Sequence, residues 1–161
     1  MENYSLMMEK LTEEENELQF SRFSNDTALN IGNIIIRKGK ERNLNIAIEI
    51  VKGNQVIFHY SFDGTTPDND DWLKRKINIV KRFHRSSYYV KLKLESKGDT
   101  IESKYGMKKE EYAAFAGAFP LIIKNTGVIG VISVSGLKQE DDHNLVVESL
   151  REYLIKEELN K

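Results

Sequence analysis

The feature that most constrains the fold of this chain is a pair of short apolar runs that occurs twice. In each pair, a turn of about three residues joins the two runs. The first pair is NIAIEIVKGNQVIFHYSF, with the turn at residues 52–54. The second is AFPLIIK followed by GVIGVISVSG, with the turn at residues 125–127. Runs rich in Ile and Val around a Gly-containing turn are typical of β-hairpins. The sequence therefore predicts two antiparallel hairpins, the first pairing residues 47–51 with 55–62.

Helical periodicity surrounds the hairpins. Asn25 or Asp26 is the expected cap of an amphipathic helix over residues 26–42, and the acidic-to-basic order of its charges suits the helix dipole. A second helix starts near Trp72, and the chain closes with a helix over residues 141–157. The segment SSYYVKLKL is ambiguous, because its apolar residues alternate as in a strand while its serines suit a helix cap.

The order of elements predicts the fold class. Helix, hairpin, helices, hairpin and helix give an α/β (α+β) fold, a single profilin-like sandwich whose antiparallel sheet of two hairpins is flanked by helices. The 161 residues suffice for one domain, and 40% apolar residues suffice for its core. We expect residues 1–22 to form an N-terminal helical extension and residues 23–161 to form the sandwich domain. The acidic run EEENE at residues 13–17 is interpreted as a solvated helix face.

Charge and cysteine content exclude several functional classes. The 24 Lys and Arg residues balance 25 Asp and Glu residues, so there is no overall basic field for nucleic acid. No apolar run approaches the roughly 20 residues of a membrane span. The chain has no cysteine, which excludes disulfides and thiolate metal sites, so we expect no metal and a cytoplasmic location.

Several motifs together resemble a known family. They are GTTPDN at residues 64–69, Trp72 with Arg75-Lys76, FHRSS at 83–87, Gly117 to Pro120, and GVIGVISVSGL followed by Asp142-His143. From about Phe23 to Leu154 the chain closely resembles the GlcG/HbpS-like haem-degrading domain family, in the branch catalogued as an uncharacterised protein family (UPF). The resemblance favours a helix over SSYYVKLKL. It also implies haem binding or degradation, a link to glycolate or propanediol metabolism, and assembly as homodimers or larger rings.

Three histidines are candidate ligands, and each has a structural alternative. His59 lies in a predicted strand, where a cross-strand or surface position is favoured over a ligand role. His84 ends a predicted helix, where it suits a C-terminal cap. His143 shares the apolar stripe of the last helix and is expected to point inward. It is either a satisfied buried histidine, the favoured interpretation, or a metal ligand or proton acceptor.

A local excess of positive charge indicates an anion site. The helix from Trp72 to Arg85 carries six basic residues and no acid. They could hold nucleic acid or tetrapyrrole propionates, although pairing with the acidic first helix is favoured. Beyond this helix, backbone N–H groups at the next helix start would add to an anion pocket. The predicted ligand-binding residues, between the GTTPDN loop, the FHRSS stretch and the loop after Gly136, are Arg75, Lys76, His84, Arg85, Ser86 and His143.

No catalytic set is readable in the sequence. The glycines match neither a phosphate loop nor a dinucleotide site, and no nucleophile elbow surrounds the serines. The prediction is therefore a homo-oligomeric protein that binds a small anionic ligand, with haem as a possible cofactor. An oligomeric interaction or adaptor protein and a weak haem-degrading enzyme remain the alternatives, so whether the chain is an enzyme stays open. No nucleic-acid or membrane partner is expected.

Overall fold

The computed structural model describes residues 3–161, so the first two residues of the expected 1–22 extension lie outside the described residues. Within residues 3–161, six helices and five strands follow one another in mixed order. In chain order they are α1 (Tyr4–Glu17), β1 (Gln19–Phe20), α2 (Asn25–Glu41), β2 (Ala47–Lys52), β3 (Gln55–Ser61), α3 (Pro67–Phe83), α4 (Ser87–Ser96), α5 (Ile101–Tyr105), β4 (Ala118–Ile123), β5 (Gly127–Ser135) and α6 (Gln139–Leu159).

The strands form one sheet in the order β1-β4-β5-β2-β3. Both predicted hairpins are confirmed, and they join through the antiparallel pairing of β2 with β5, in which Ile50 lies opposite Ile132. The short strand β1 pairs in parallel with β4 at the edge of the sheet, with Phe20 opposite Ile123. The sequence did not predict β1, because two residues are too few to show a period.

Helices cover both faces of the sheet, which confirms the predicted α/β sandwich. The helices α2 and α6 pack together on one face, and the largest apolar cluster, including Ile35, Ile132 and Leu150, lies between them and the strands. On the other face, α3 packs on β4, β5 and β2, and α4 packs beside it. The helix α1 lies on α4, where Leu11 meets Leu92.

Local signals explain where the helices around the site begin and end. The segment SSYYVKLKL is helical as the family resemblance indicated, and Ser86 caps α4 by accepting the N–H of Tyr89. The helix α3 starts at Pro67, which suits a first helical position. It ends at His84, whose left-handed backbone and N–H bond to Val80 make the predicted C-cap.

Two local predictions are wrong. The cap of α2 is Ser24, not Asn25 or Asp26, because its hydroxyl and that of Thr27 form a reciprocal capping box. The acidic run at residues 13–17 is not wholly solvated. Glu14 and Glu15 are 8% and 5% exposed, since both side chains meet cationic or hydrogen-bonding partners on distant elements.

Candidate functional site

A cleft of about 540 Å³ lies beside α3 and α4. We call it the apolar cleft. Its walls come from the first turns of α3, the end of α4, the start of α5 and the segment 109–115. Small-molecule sites of about 300–1,000 Å³ with mostly apolar walls are usual in proteins. Its lining residues are Trp72, Arg75, Lys91, Leu94, Glu95, Asp99, Thr100, Ile101, Glu102, Lys109, Glu110, Tyr112, Ala113, Ala114 and Phe115.

Charge is unevenly distributed around the apolar cleft. At one end the guanidinium of Arg75 stacks on the Trp72 ring at 4.0 Å and donates to Asp71 and to the carbonyl of Lys109. These contacts fix the guanidinium in place and leave N–H groups for a ligand. Lys91 lies 3.4 Å from Glu95, and the acidic residues of the lining are Glu95, Asp99, Glu102 and Glu110. The cleft therefore offers one preorganised cation beside an apolar floor.

A second cleft of about 360 Å³ adjoins the first, and we call it the polar cleft. Trp72 and Phe115 line both clefts and separate one from the other. The centroids of their rings are 5.0 Å apart. Two of the three segments expected from the sequence meet here, the GTTPDN loop and the loop after Gly136. The lining residues are Asp68, Asn69, Trp72, Lys76, Phe115, Ala116, Ser135, Gly136, Leu137, Gln139 and Asp142.

A buried ion pair forms the floor of the polar cleft. Lys76 Nζ, on α3, donates to the carbonyls of Ala116 and Val134 at 3.1 and 2.5 Å and lies 3.4 Å from Asp142 Oδ2. Three acceptors match the three N–H groups of an ammonium. Asp142 Oδ1 accepts the N–H of Leu137, so the pair also fixes the loop after β5.

Burial works against both charges of this pair. It raises the pKa of Asp142 to about 6, although Lys76 and the Leu137 N–H oppose the rise. It also lowers the pKa of Lys76, against the attraction of Asp142. A carboxyl that titrates near neutral pH at the floor of a cleft is suited to exchanging a proton with a bound ligand.

A glycine makes room for the lysine. Gly117 has a φ of 132°, which L side chains rarely adopt. A Cβ there would also collide with Lys76 Nζ and approach the Val134 carbonyl oxygen to 2.7 Å. The backbone conformation and the nearby Val134 carbonyl therefore require glycine at position 117, and the Lys76 ammonium lies against the same face.

A second buried cluster lies where α1 crosses the start of α4, and we call it the Arg85 corner. It consists of Thr12, Glu14, Glu15, Arg85, Ser86 and His143. Arg85 donates to Glu15 Oε1 and to Thr12 Oγ1, both at 2.7 Å. Its guanidinium also covers the Tyr89 ring at 3.5 Å. Burial raises the pKa of the Glu15 carboxyl, while Arg85 and the Ser86 N–H favour its ionised form.

His143 lies on the other side of the Arg85 corner. Its imidazole is 1% exposed, packs edge-on to the Tyr88 ring at 5.2 Å, and its Nε2 is 2.9 Å from Glu14 Oε1. The prediction that it points inward is confirmed. However, its Nδ1 is buried and has no hydrogen-bond partner among residues 3–161, so within this part of the chain the histidine is only half satisfied.

The other two histidines lie apart from both clefts. His84 caps α3 and is exposed to solvent. It lies beside the β2–β3 turn and the first half of β5. His59 is on the edge strand β3, opposite Glu49 as a cross-strand pair, with its Nδ1 3.1 Å from Glu49 Oε1. Its Nε2 lies 3.0 Å from Ser61 Oγ. Neither ring lines the apolar cleft.

The six residues predicted to bind a ligand therefore fall into three places. Arg75 and Lys76 line the two clefts, Arg85, Ser86 and His143 share the Arg85 corner, and His84 stands alone. Sequence reasoning did not identify the segment 109–115, which supplies Tyr112 and Phe115 to the cleft. No periodicity marks this segment, because it belongs to no helix or strand.

Two features are absent from residues 3–161. No group of three or more His, Asp or Glu side chains in this part of the chain is arranged to hold a metal ion. No helix within it is long and apolar enough to cross a membrane.

Comparison with known proteins gives consistent matches. The family model described as "Haem degrading protein HbpS-like" matches residues 23–151. A UPF0303 protein of Serratia proteamaculans is 42% identical over 147 residues, which are 91% of each chain. The crystal structure of Ybr137w protein has a TM-score of 0.83 and 32% identity, covering 89% of this chain and 85% of that one.

A more distant likeness shows the fold alone. The crystal structure of a PduOC:heme complex has a TM-score of 0.68 at 11% identity, and it covers 80% of this chain and 93% of that one.

Proposed function

Because the chain belongs to the HbpS-like family and to its UPF0303 branch, we propose that it binds a flat, mostly apolar small molecule with acidic groups, such as haem or another tetrapyrrole. The observation that carries the proposal is the apolar cleft, with its aromatic walls and the fixed guanidinium of Arg75 at one end. Aromatic rings suit the face of a planar ligand, and a guanidinium suits a carboxylate.

The residues of the cleft fit the organic part of haem better than its iron. Trp72, Tyr112 and Phe115 offer ring surface, and Arg75 and Lys109 offer charge for propionates. Among the described residues that line this cleft, none is a histidine. When bound, haem would supply iron redox chemistry. The chain would hold the macrocycle and its acidic groups. Of the aromatic residues that line the cleft, Tyr112 carries a hydroxyl group.

The names of structural relatives support haem as the first ligand to test. The PduOC structure is a heme complex, and the family description refers to haem degradation. Both statements concern those proteins. For this chain they indicate which probe to use, and the apolar cleft indicates where the probe should bind.

The experiment is a titration of the purified protein with haem and, separately, with iron-free protoporphyrin, followed by absorbance and by the fluorescence of Trp72, the single tryptophan. Because the cleft favours the macrocycle and its carboxylates, both compounds should bind saturably and with similar affinity. Arg75→Ala should weaken both by about tenfold, the loss of one charged hydrogen bond. Lys108→Ala, an exposed neighbour of the cleft residue Lys109, is the matched control and should change neither.

Other outcomes would select another function. A Soret shift with haem alone, abolished by His84→Ala or His143→Ala, would favour iron ligation outside the cleft. Loss of the bound haem spectrum in air with a reductant would favour the weak haem-degrading enzyme. Binding of neither compound would refute the proposal and favour an adaptor that acts through its surface.

Homo-oligomer formation and cytoplasmic location are further proposals. Leu6 and Met7 on α1, and Val56 and Tyr60 on the edge strand β3, are large apolar side chains exposed to solvent. Such residues are enriched where subunits meet. Light scattering should give a mass of at least twice 18.6 kDa at micromolar concentration. A monomer would refute this assembly.

A further inference from the structure

The polar cleft runs from an exposed rim to a buried polar floor. Lys76, Ser135 and Asp142 at the floor are 2%, 5% and 3% exposed. Asp68 and Phe115 at the rim are exposed to solvent. A concave site that ends on a few fixed polar groups is the usual form of a small-molecule site. A ligand in the neighbouring apolar cleft would leave this one unfilled.

One hydroxyl at the floor lacks a partner. Ser135, the last residue of β5, lines the cleft, and its hydroxyl makes no hydrogen bond within residues 3–161. The other two floor residues are satisfied, since Lys76 has three oxygen acceptors and Asp142 Oδ1 accepts the N–H of Leu137. An unpaired hydroxyl in a buried position is costly. Ser135 therefore marks the floor as a place where a ligand can form a hydrogen bond.

Two side-chain amides of the lining are held with their N–H groups unused. Asn69 Oδ1 accepts the N–H of Thr66 at 3.0 Å, at the start of α3. Gln139 Oε1 accepts the N–H of Ala116 at 2.9 Å. Because a backbone N–H requires an oxygen acceptor, these bonds fix which end of each amide is the NH₂ group. Within residues 3–161 neither NH₂ group has an acceptor, so both remain available as donors.

The charges of the cleft favour a neutral ligand. Among the described residues that line it, Lys76 is the one cation, and its three N–H groups are engaged. No donor of this cation is left for an anion, which Asp68 and Asp142 would repel. A cation, in turn, could not accept from the Ser135 hydroxyl or from the amides. The complementary ligand is uncharged and carries oxygens that both donate and accept, as hydroxyl groups do.

The aromatic wall suits the carbon skeleton of such a ligand. The rings of Trp72 and Phe115 line the cleft beside its polar groups. Aromatic rings supply a large apolar contact area. In a compound with a hydroxyl group on most of its carbons, the C–H groups are the part that can cover this area.

We propose that the polar cleft is a binding site for a small neutral polyhydroxyl compound, a monosaccharide or a sugar alcohol. Ser135, Asn69 and Gln139 donate to its oxygens. Asp68 at the rim accepts from its hydroxyl groups, and Trp72 packs on its carbon skeleton. The site is separate from the apolar cleft, so it does not rest on the function proposed above.

The test is a titration of the full chain with glycerol, methyl glucoside and methyl galactoside, followed by amide NMR. At least one compound should bind saturably at about millimolar concentration, the affinity that a few neutral hydrogen bonds give. The amides of residues 135–139 should shift, whereas those of residues 99–102, which line only the apolar cleft, should not. Gluconate, which adds a carboxylate to similar hydroxyl groups, should bind at least about fivefold more weakly because the two aspartates repel it.

Variants test the two ends of the cleft. Ser135→Ala should weaken binding about fivefold, the loss of one neutral hydrogen bond, and should leave the urea midpoint unchanged because this hydroxyl has no partner in residues 3–161. Asp68→Ala should weaken binding about tenfold, the loss of one charged hydrogen bond. The matched control is Asp26→Ala, because both aspartates are exposed acids in the first turn of a helix, and Asp26 lies on α2. It should bind as the unaltered chain does.

Each outcome supports or overturns the proposal. Saturable shifts in residues 135–139 that Ser135→Ala and Asp68→Ala weaken, and Asp26→Ala does not, would support it. Absence of saturable binding by all three compounds would overturn it, as would tighter binding of gluconate or shifts in residues 99–102 instead. If Ser135→Ala fails to fold, Asp68→Ala, at an exposed position, carries the test. Protoporphyrin binding is a separate measurement, so the failure of either site leaves the other standing.

Discussion

The two buried ion clusters of this protein differ in how completely they are satisfied. In the polar cleft, each N–H of the Lys76 ammonium has an oxygen acceptor, and these come from β5, α6 and the segment before β4. In the Arg85 corner, two buried polar atoms have no partner in the described part of the chain, and the carboxylates come from α1, which packs outside the sandwich.

The pair of Lys76 and Asp142 therefore lies inside the sandwich, whereas the pair of Arg85 and Glu15 joins α1 to the sandwich. The elements around Lys76 are parts of the central sandwich and cannot move without disrupting it. The helix α1 packs on α4 from outside the sandwich, and Leu11 is its one fully buried apolar side chain. Removing the Lys76 ammonium from the polar cleft should therefore cost stability, whereas removing the Arg85 guanidinium should mainly loosen α1.

The largest effect is expected for Lys76→Ala. The substitution leaves Asp142 buried without its cation and leaves two carbonyls without a donor, so it should lower the free energy of unfolding by about 3–5 kcal/mol. Urea denaturation measures this change. The control is Lys74→Ala, an exposed lysine of the same helix, which should stay within about 0.5 kcal/mol of the unaltered chain. Equal effects for the two lysines would contradict the structural role of Lys76.

Gly117→Ala should be nearly as harmful. The added methyl group would face the Lys76 ammonium, and the φ of 132° is strained for alanine. Strain and overpacking together should cost about 2–4 kcal/mol in urea denaturation. Gly127→Ala, at a similar φ of 125° with open space around it, separates the backbone contribution from the collisions at position 117. The account fails if both glycines respond alike.

A smaller loss is expected for Arg85→Ala. Glu15 loses its cation, but α1 can carry the carboxylate to water, so unfolding free energy should fall by only about 1–2 kcal/mol. Hydrogen exchange should show the release in residues 4–17 and leave the sheet protected. Arg151→Ala, which breaks an exposed pair with Glu17, is the control and should change little. A loss as large as that of Lys76→Ala would mean that α1 is as rigid as the sandwich.

The raised pKa of Asp142 also predicts a pH dependence of stability. Asp142 has a pKa of about 6 in the folded protein, above the ordinary value of 3.8. The folded state therefore retains a proton that the unfolded state has lost between those values, and this contribution to stability disappears as pH rises toward 6. Relative to Asp142→Asn, the unaltered chain should gain stability as pH falls from 6 to 4. A constant difference between the two chains across that range would contradict the raised pKa.

The sequence predicted the framework of the fold because its signals are local. Turn residues near Gly53 and Gly127 indicated the hairpins, and apolar periodicity indicated α2, α3 and α6. The burial of Glu14 and Glu15 was not predictable in this way. Their partners Arg85 and His143 lie 70 and 129 positions away, and sequence spacing carries no information about such contacts.

The same limit applies to the candidate site. Arg75 and Lys76 could be identified by their charge on a helix, but only the folded chain places Phe115 against Trp72. Grouping all six predicted residues in one pocket assumed that the end of α3 faces the GTTPDN loop. The GTTPDN loop leads into the first turn of α3, whereas His84 follows its last turn. The two are therefore separated by the whole length of the helix.

The most direct test of the proposed function is to locate the ligand by NMR. Trp72 supplies the single indole N–H resonance, so its change is unambiguous. On addition of iron-free protoporphyrin, this resonance and the backbone amides of residues 109–115 should shift together and saturate. Shifts confined to the surroundings of His84, or to the exposed strand β3, with the Trp72 resonance unchanged, would show that the apolar cleft is not the binding site.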